Sequence, residues 1–304
     1  MLVSAGQNPQ WGYCLITPAR NEEALIGFTL ESVVRQTVRP VEWVIVSDQS
    51  MDRTDEIVRS YAANHPFIKL LRLEQRPKRS FASVVFALEA GIGVLQCKDY
   101  QFIGLLDSDI KFGPDYYEQI IARFKADSKL GLAGGLVVDC VNGVRASSLH
   151  SKGQSLRDVA GAVQFFSREC FEKLGGLLAV PEGGWDTLTC VQARQCGYHT
   201  QTFSDIEVDH LKPRNIAEGN LIRRNQQMGE REYALGYHPF FEAVKCGYRC
   251  LERPLLVGGL SRLWGYVSCY LRRRKRIVPD GAIKQIRREQ LNRLFWLSRR
   301  TPVS

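Results

Sequence analysis

No C-x-x-C pair occurs among the nine cysteines of this 304-residue chain, which stand scattered at positions 14, 97, 140, 170, 190, 196, 246, 250 and 269. Their odd number and spacing exclude a disulfide framework and a zinc-finger site, and they suit a reducing compartment. Glycine-rich phosphate loops are missing as well. The first predicted strand runs into P-A-R-N-E (18–22), without glycine, and no G-x-G-x-x-G occurs. That argues against nicotinamide-linked dehydrogenases and sugar nucleotidylyltransferases. The first basic residue is Arg20, so a basic start followed by an apolar core, the mark of a secretory leader, is absent and a cytoplasmic protein is expected. Long apolar runs are lacking too. Leu255–Leu271 is 17 residues with Arg262 at its centre. As a helix it would be about 25 Å long, against roughly 30 Å of bilayer hydrocarbon, and an unpaired, isolated central arginine opposes spanning further. There is no internal repeat and no low-complexity segment.

What is present is ordinary globular composition, 44% apolar and 24% charged, enough for a large core without staples. The charge is unevenly placed. Residues 1–244 hold 26 Lys and Arg against 29 Asp and Glu, whereas residues 245–304 hold 15 against 3. A basic tail on a mildly acidic body points to an anionic partner or, equally, to a solvated helical face.

Strand and helix patterns alternate through the first half. Strands are expected at Tyr13–Thr17, Val41–Val46, Ile68–Leu73 and Phe102–Leu106. Helices are expected over Ala24–Gln36, from about Thr54 to His65, and over Ser80–Leu95. In the first helix, Leu25, Phe28, Leu30, Val33 and Val34 form the expected buried set. This rhythm makes β-α-β units and a mostly parallel sheet. After about residue 130 it changes. A hairpin turns at Asn142–Gly143 between Leu132–Asp139 and Val144–Leu149, and Ala162–Ser167 is a strand. A short helix then ends at glycines 175–176, and a second spans Asp186–Gln195. His199–Phe203 and Glu207–Leu211 are two further short strands.

Ligands of open parallel sheets sit at the carboxyl ends of the strands. Those ends carry Arg20, Asn21 and Glu22, then Asp48 through Asp52, then Asp107-Ser108-Asp109. Two carboxylates one residue apart after the buried run F-I-G-L-L offer hard oxygen ligands for Mg²⁺ or Mn²⁺, and such a dication suits a diphosphate.

These residues resemble the glycosyltransferases of family 2, with the nucleotide-sugar-binding fold called GT-A. The likeness runs from about Gly12 to Leu211. It rests on I-T-P-A-R-N-E-E (16–23), V-I-V-S-D-Q-S-M-D-R-T (44–54), L-L-D-S-D (105–109), F-S-R-E-C-F-E-K-L-G-G (166–176) and W-D-T-L-T-C-V-Q-A-R-Q-C-G-Y (185–198). The resemblance implies a Rossmann-like α/β domain over 1–244, with a nucleotide-binding half about 11–130 and an acceptor half about 131–244. Residues 245–304 would form a helical extension. It implies that Asp48 binds the base, that Thr17, Pro18, Ala19, Asn21 and Glu22 line base and ribose, and that Asp52 supports the same loop. Asp107, Ser108 and Asp109 would form the D-x-D element, with Asp109 the direct metal ligand, Asp107 beside it and His210 an additional ligand. Asp186 would be the general base, although Trp185 precedes it where the family commonly has Glu. Arg79 is read as a cation for the diphosphate.

Plainer roles stand beside these. Asp48, Asp52 and Asp186 are also suited to helix N-termini, Asp107 to a turn, and His210 to a structural contact. The expected activity is inverting, metal-dependent sugar transfer from a nucleotide-sugar, a UDP-sugar first of all, to a saccharide or lipid-linked acceptor in polysaccharide or glycolipid synthesis. An inactive relative, or a scaffold using the basic tail, is the alternative. A nucleic-acid partner is not expected, because it would leave the strand-end acids unexplained. In the tail, aromatic-rich apolar residues beside R-R-R-K-R (272–276) and the run at 284–297 favour peripheral attachment to an anionic membrane face. Packing onto the body is the rival reading, and the same face also allows a homodimer contact.

Overall fold

The computed structural model describes residues 11–74, 81–141, 143–145, 155–212, 221–251 and 256–298. Arg79, Leu149 and Leu255 lie outside the described residues, as do the side chains of Phe295, Trp296 and Leu297. The chain divides into two compact units. The first takes Met1–Arg79, Ser83–Leu177 and Cys196–Arg214; the second takes Ser80–Ala82, Leu178–Gln195 and Asn215–Ser304.

The first unit opens with β1 (Tyr13–Ala19), α1 (Ile26–Val34), β2 (Glu42–Asp48), α2 (Thr54–Ala62), β3 (Ile68–Leu73), α3 (Ser83–Gly93) and β4 (Phe102–Leu106). It continues through β5 (Ile110–Lys111), α4 (Tyr116–Ala126), β6 (Leu130–Val141), β7 (Val144–Arg145), β8 (Val163–Ser167), α5 (Arg168–Leu174) and β9 (His199–His210). The nine described strands form one sheet in the order β3-β2-β1-β4-β8-β6-β9-β5, with β7 paired to β6. The first four are mutually parallel, and β8 enters antiparallel between β4 and β6. Every residue of β2 and β4 is buried, which is why W-V-I-V and F-I-G-L-L read as continuous apolar runs. Under this sheet Tyr13, Tyr117, Phe102, Phe124 and Phe165 make an aromatic cluster with centroids 4.6–5.9 Å apart.

Two expectations need correction, and one helix is additional. Phe28 is exposed, because α1 starts at Ile26 and turns Ile26, Leu30 and Val33, spaced i, i+4 and i+7, to the core. The two strands expected across 199–211 are one strand, β9. Its ladder with β6 shifts between Gly135 and Leu136, so the exposed Ser204 and Asp205 sit in a bulge rather than a turn. Helix α4 was not anticipated; its buried stripe is Tyr116, Tyr117, Ile120, Ile121 and Phe124.

The second unit contains α6 (Trp185–Gln195), α7 (Leu221–Ala234), α8 (Pro239–Arg249), α9 (Val257–Leu271) and α10 (Asp280–Ser298). Leu188 and Val191 of α6 pack with Ala282, Ile283 and Ile286 of α10. Arg194 grips Glu289 through two bonds of 2.8 and 2.9 Å. Helices α7 and α9 approach so closely that a Cβ on Gly229 would overlap the Arg262 carbonyl, and one on Gly265 the Gln226 carbonyl. Arg262, expected as an isolated charge, is instead buried and paired with Glu232, its Nε 2.7 Å from Oε2. Among the described residues no helix is long and apolar enough to cross a membrane.

Candidate active site

The loops after β1 and β2 are stitched together by backbone-to-side-chain hydrogen bonds. The Asn21 N–H donates to Ser50 Oγ at 3.2 Å, and Asn21 Oδ1 accepts from the Met51 N–H at 2.8 Å. The Glu22 N–H donates to Thr54 Oγ1 at 2.8 Å, and the Glu23 N–H to Asp52 Oδ2 at 3.0 Å. The Arg53 N–H returns a bond to Glu23 at 3.1 Å. Asn21 and Gln49 both hold left-handed backbone, with φ of +52° and +56°. Such conformations cost of order 1–3 kcal/mol and persist where surrounding contacts over-determine them. The two loops therefore form a rigid cradle at the carboxyl edge of β1 and β2.

Asp52 also accepts the Thr54 hydroxyl at 2.6 Å and the Thr54 N–H at 3.1 Å. Burial alone would raise its pKa, but these bonds and that from Glu23 outweigh it and hold the carboxyl below its ordinary range. Asp48 is buried at the end of β2, with Arg20 3.6 Å away. Thr17 is fully buried and its hydroxyl accepts the Trp43 indole N–H at 2.9 Å, so that side chain is committed to the core. Pro18 and Ala19 finish the same strand beside Val46 and Ser47.

Beyond β4, Asp107 is half-buried with its N–H donated to the Ala162 carbonyl, while Ser108 and Asp109 are buried. Asp109 meets His210 because β5 and β9 are antiparallel with Ile110 opposite His210. The Leu211 N–H closes this contact on the Asp109 carbonyl at 2.9 Å. His210 Nε2 lies 3.5 Å from Asp109 Oδ2, and its Nδ1 lies 3.0 Å from Asp139 Oδ1.

Lys212, two residues on, places its ammonium 2.6 Å from Glu22 Oε1. Burial raises the Glu22 pKa; Lys212 opposes that, and the negative charges of Asp109 and Asp52 add to it. Glu22, Asp52, Asp109, His210 and Lys212 thus share one electrostatic neighbourhood.

Sequence reasoning missed Asp139 and Lys212. A lone acid inside L-V-V-D-C carries no signal, and only the ladder register brings Asp139 beside His210. Lys212 stood in V-D-H-L-K-P, where His210 alone was singled out.

Among the described residues no three His, Cys, Asp or Glu side chains gather as a ready ligand set. A dication serving a diphosphate keeps waters and phosphate oxygens in its shell and needs only one or two protein donors. Asp109 and His210 fit that description. Asp109 Oδ1 is buried and accepts no hydrogen bond among the described residues. In the tautomer that gives Nδ1–H to Asp139, His210 keeps an Nε2 lone pair that a dication held with Asp109 would take.

Asp186 belongs to the second unit. It lies in the first turn of α6, half-buried, after Gly183 and Gly184, both at φ +88°. A Cβ on Gly184 would come within 2.8 Å of Leu235 Cδ1, so glycine meets both the backbone and the packing demand there.

The sequence model described as Glycosyl transferase family 2 matches residues 14–175. A poly-beta-1,6-N-acetyl-D-glucosamine synthase of Staphylococcus epidermidis is 30% identical over 289 residues, covering 89% of this chain and 67% of that protein. Among solved structures, the mannosyltransferase PcManGT of Pyrobaculum calidifontis, in complex with GDP-Man and Mn²⁺, superposes with a TM-score of 0.56. It is 17% identical, over 97% of this chain and 82% of that one. A Staphylococcus aureus TarS fragment in complex with UDP-GlcNAc gives 0.53 at 15% identity, over 86% and 73%. The mostly parallel mixed sheet flanked by helices is the GT-A fold of these enzymes. The chain belongs to glycosyl transferase family 2 and is a glycosyltransferase.

Proposed function

We propose that this enzyme transfers a sugar, with inversion at the anomeric carbon, from a UDP-sugar to a hydroxyl of a saccharide or lipid-linked acceptor. The pairing of Asp109 with His210 at the carboxyl edge of the sheet, beside Glu22 and Lys212, carries this reading. Asp48 accepts the imide N–H of the base, and the Asn21–Glu22 and Ser50–Asp52 loops hold base and ribose. Asp109 and His210 would hold Mg²⁺ or Mn²⁺, which when bound would neutralise charge on the departing diphosphate. Lys212, tethered by Glu22, adds a second cation toward the same oxygens.

Asp186 takes the proton of the acceptor hydroxyl, on the strength of the resemblance around W-D-T-L-T. A positioned general base contributes typically about 10²–10⁴-fold. With one base and no covalent nucleophile, the displacement is single and configuration inverts. Similarity to a poly-beta-1,6-N-acetyl-D-glucosamine synthase supports a place in polysaccharide assembly. The test is incubation with UDP-, GDP- and dTDP-sugars, Mn²⁺ and oligosaccharide acceptors, with product configuration read by NMR. An inverted product from UDP-sugars is expected; a retained configuration overturns the mechanism.

A further inference from the structure

Helices α8 and α9 of the second unit expose apolar side chains, while charge is buried where they meet α7, beside Tyr233, Tyr266 and Cys269. Glu232, Glu242 and Arg262 are buried, and Lys245 reaches both acids, 2.9 Å from Glu242 Oε2. Burial works against the Glu232 charge, yet the Arg262 hydrogen bonds and the Lys245 charge hold its pKa well below the ordinary range. Glycines 229, 259 and 265 let the backbones touch.

The outward faces of α8 and α9 are apolar. On α8 and just beyond it, Phe240, Val244, Tyr248 and Leu251 recur at i, i+4, i+8 and i+11, and all four are exposed, Leu251 by 74%. On α9, Val257, Leu260, Trp264 and Leu271 recur at i, i+3, i+7 and i+14, with Trp264 exposed by 56% and Leu271 by 69%. Small residues and polar pairs inside, with large apolar side chains outside, is the arrangement of helices packed in apolar surroundings. Exposed apolar stripes of this extent mark an interaction surface.

Charge identifies the partner. Helix α9 runs directly into Arg272, Arg273, Arg274 and Lys275, all exposed. Arg274 pairs with Glu230, while Arg272, Arg273 and Lys275 form no ion pair among the described residues. Cations at the end of an apolar helix face suit anionic headgroups above an acyl layer. Helix α9 has 15 residues, about 22 Å, too short for roughly 30 Å of hydrocarbon.

We propose that the outward faces of α8 and α9, with the cations at 272–275, dock into one leaflet of an anionic lipid bilayer without crossing it. This goes beyond the transferase reading and does not depend on it.

The test is co-sedimentation of the full chain with phosphatidylcholine vesicles, with and without phosphatidylglycerol. Sedimentation with the anionic vesicles, weakened by salt, is expected. Arg272→Ala, Arg273→Ala and Lys275→Ala together should weaken it by about tenfold or more. Leu260→Glu with Trp264→Glu should abolish it, with helical circular dichroism unchanged because both sites are exposed. Failure of the wild type to sediment with either vesicle overturns the proposal, as does unaltered sedimentation of the Leu260→Glu, Trp264→Glu variant. A soluble wild-type dimer that this variant dissociates would make the face a contact between copies and overturn it equally.

Discussion

The Nδ1 of His210 lies 3.0 Å from Oδ1 of Asp139, and the contact is set by register, since the two residues are directly paired between β6 and β9. A carboxylate on one imidazole nitrogen fixes the ring and its tautomer and raises the basicity of the other nitrogen, which here faces Asp109 at 3.5 Å. Outer partners of this kind are typically worth about 10–100-fold in metal affinity. Asp139→Ala is therefore expected to weaken Mn²⁺-dependent nucleotide binding by about that factor. Asp139→Asn, which keeps an acceptor oxygen, should recover part of it. Nucleotide titrations across a range of Mn²⁺ concentrations check both.

Asp52 predicts a pH signature. Its folded pKa is depressed, so its contribution to stability is complete above the unfolded value of about 3.9 and fades as pH falls through the folded value. The stability gap between wild type and Asp52→Asn should be constant at neutral pH and narrow in acid. Denaturant melts at a series of pH values measure it. Because Asp52 joins the β1 and β2 loops, the same variant should also bind nucleotide more weakly.

The buried pair of Arg262 and Glu232 predicts a large, asymmetric stability effect. Without Arg262 the buried Glu232 and Glu242 share the Lys245 ammonium alone, and one uncompensated buried charge costs about 3–5 kcal/mol. Arg262→Met alone should lower the midpoint of thermal unfolding sharply. Adding Glu232→Gln should restore part of the loss, since the stranded charge is then gone.

Asp186 separates binding from chemistry. If it acts on the acceptor proton, Asp186→Asn should reduce turnover by about 10²–10⁴-fold while donor affinity stays near that of the wild type. Steady-state kinetics beside a donor titration decide it. Parallel loss of donor affinity would assign Asp186 to donor binding instead.

The first half of the fold was legible chiefly because β1, β2 and β4 are buried along almost their whole length and so read as continuous apolar runs. The runs at 42–48 and 102–106 could be little else. The strand-end acids were legible for the same reason, since a strand once placed dictates where its carboxyl end lies. Long-range register was not. That Asp139 would neighbour His210, or that Lys212 would reach Glu22 across the fold, follows from β6–β9 and β5–β9 pairing, which no local pattern encodes. Helix α4 was missed because Gly113–Pro114–Asp115 reads as a turn, and its Tyr116–Tyr117 pair as readily as strand. Arg262 read as an isolated charge because its partners stand 20 and 30 residues earlier, at Glu242 and Glu232.

The donor site is tested most directly by calorimetric titration of UDP, GDP and dTDP in the presence of Mn²⁺ or a chelator, on wild type and Asp109→Ala. The site described here predicts UDP binding that requires the metal and disappears in the variant. UDP binding that survives both the chelator and Asp109→Ala would contradict it.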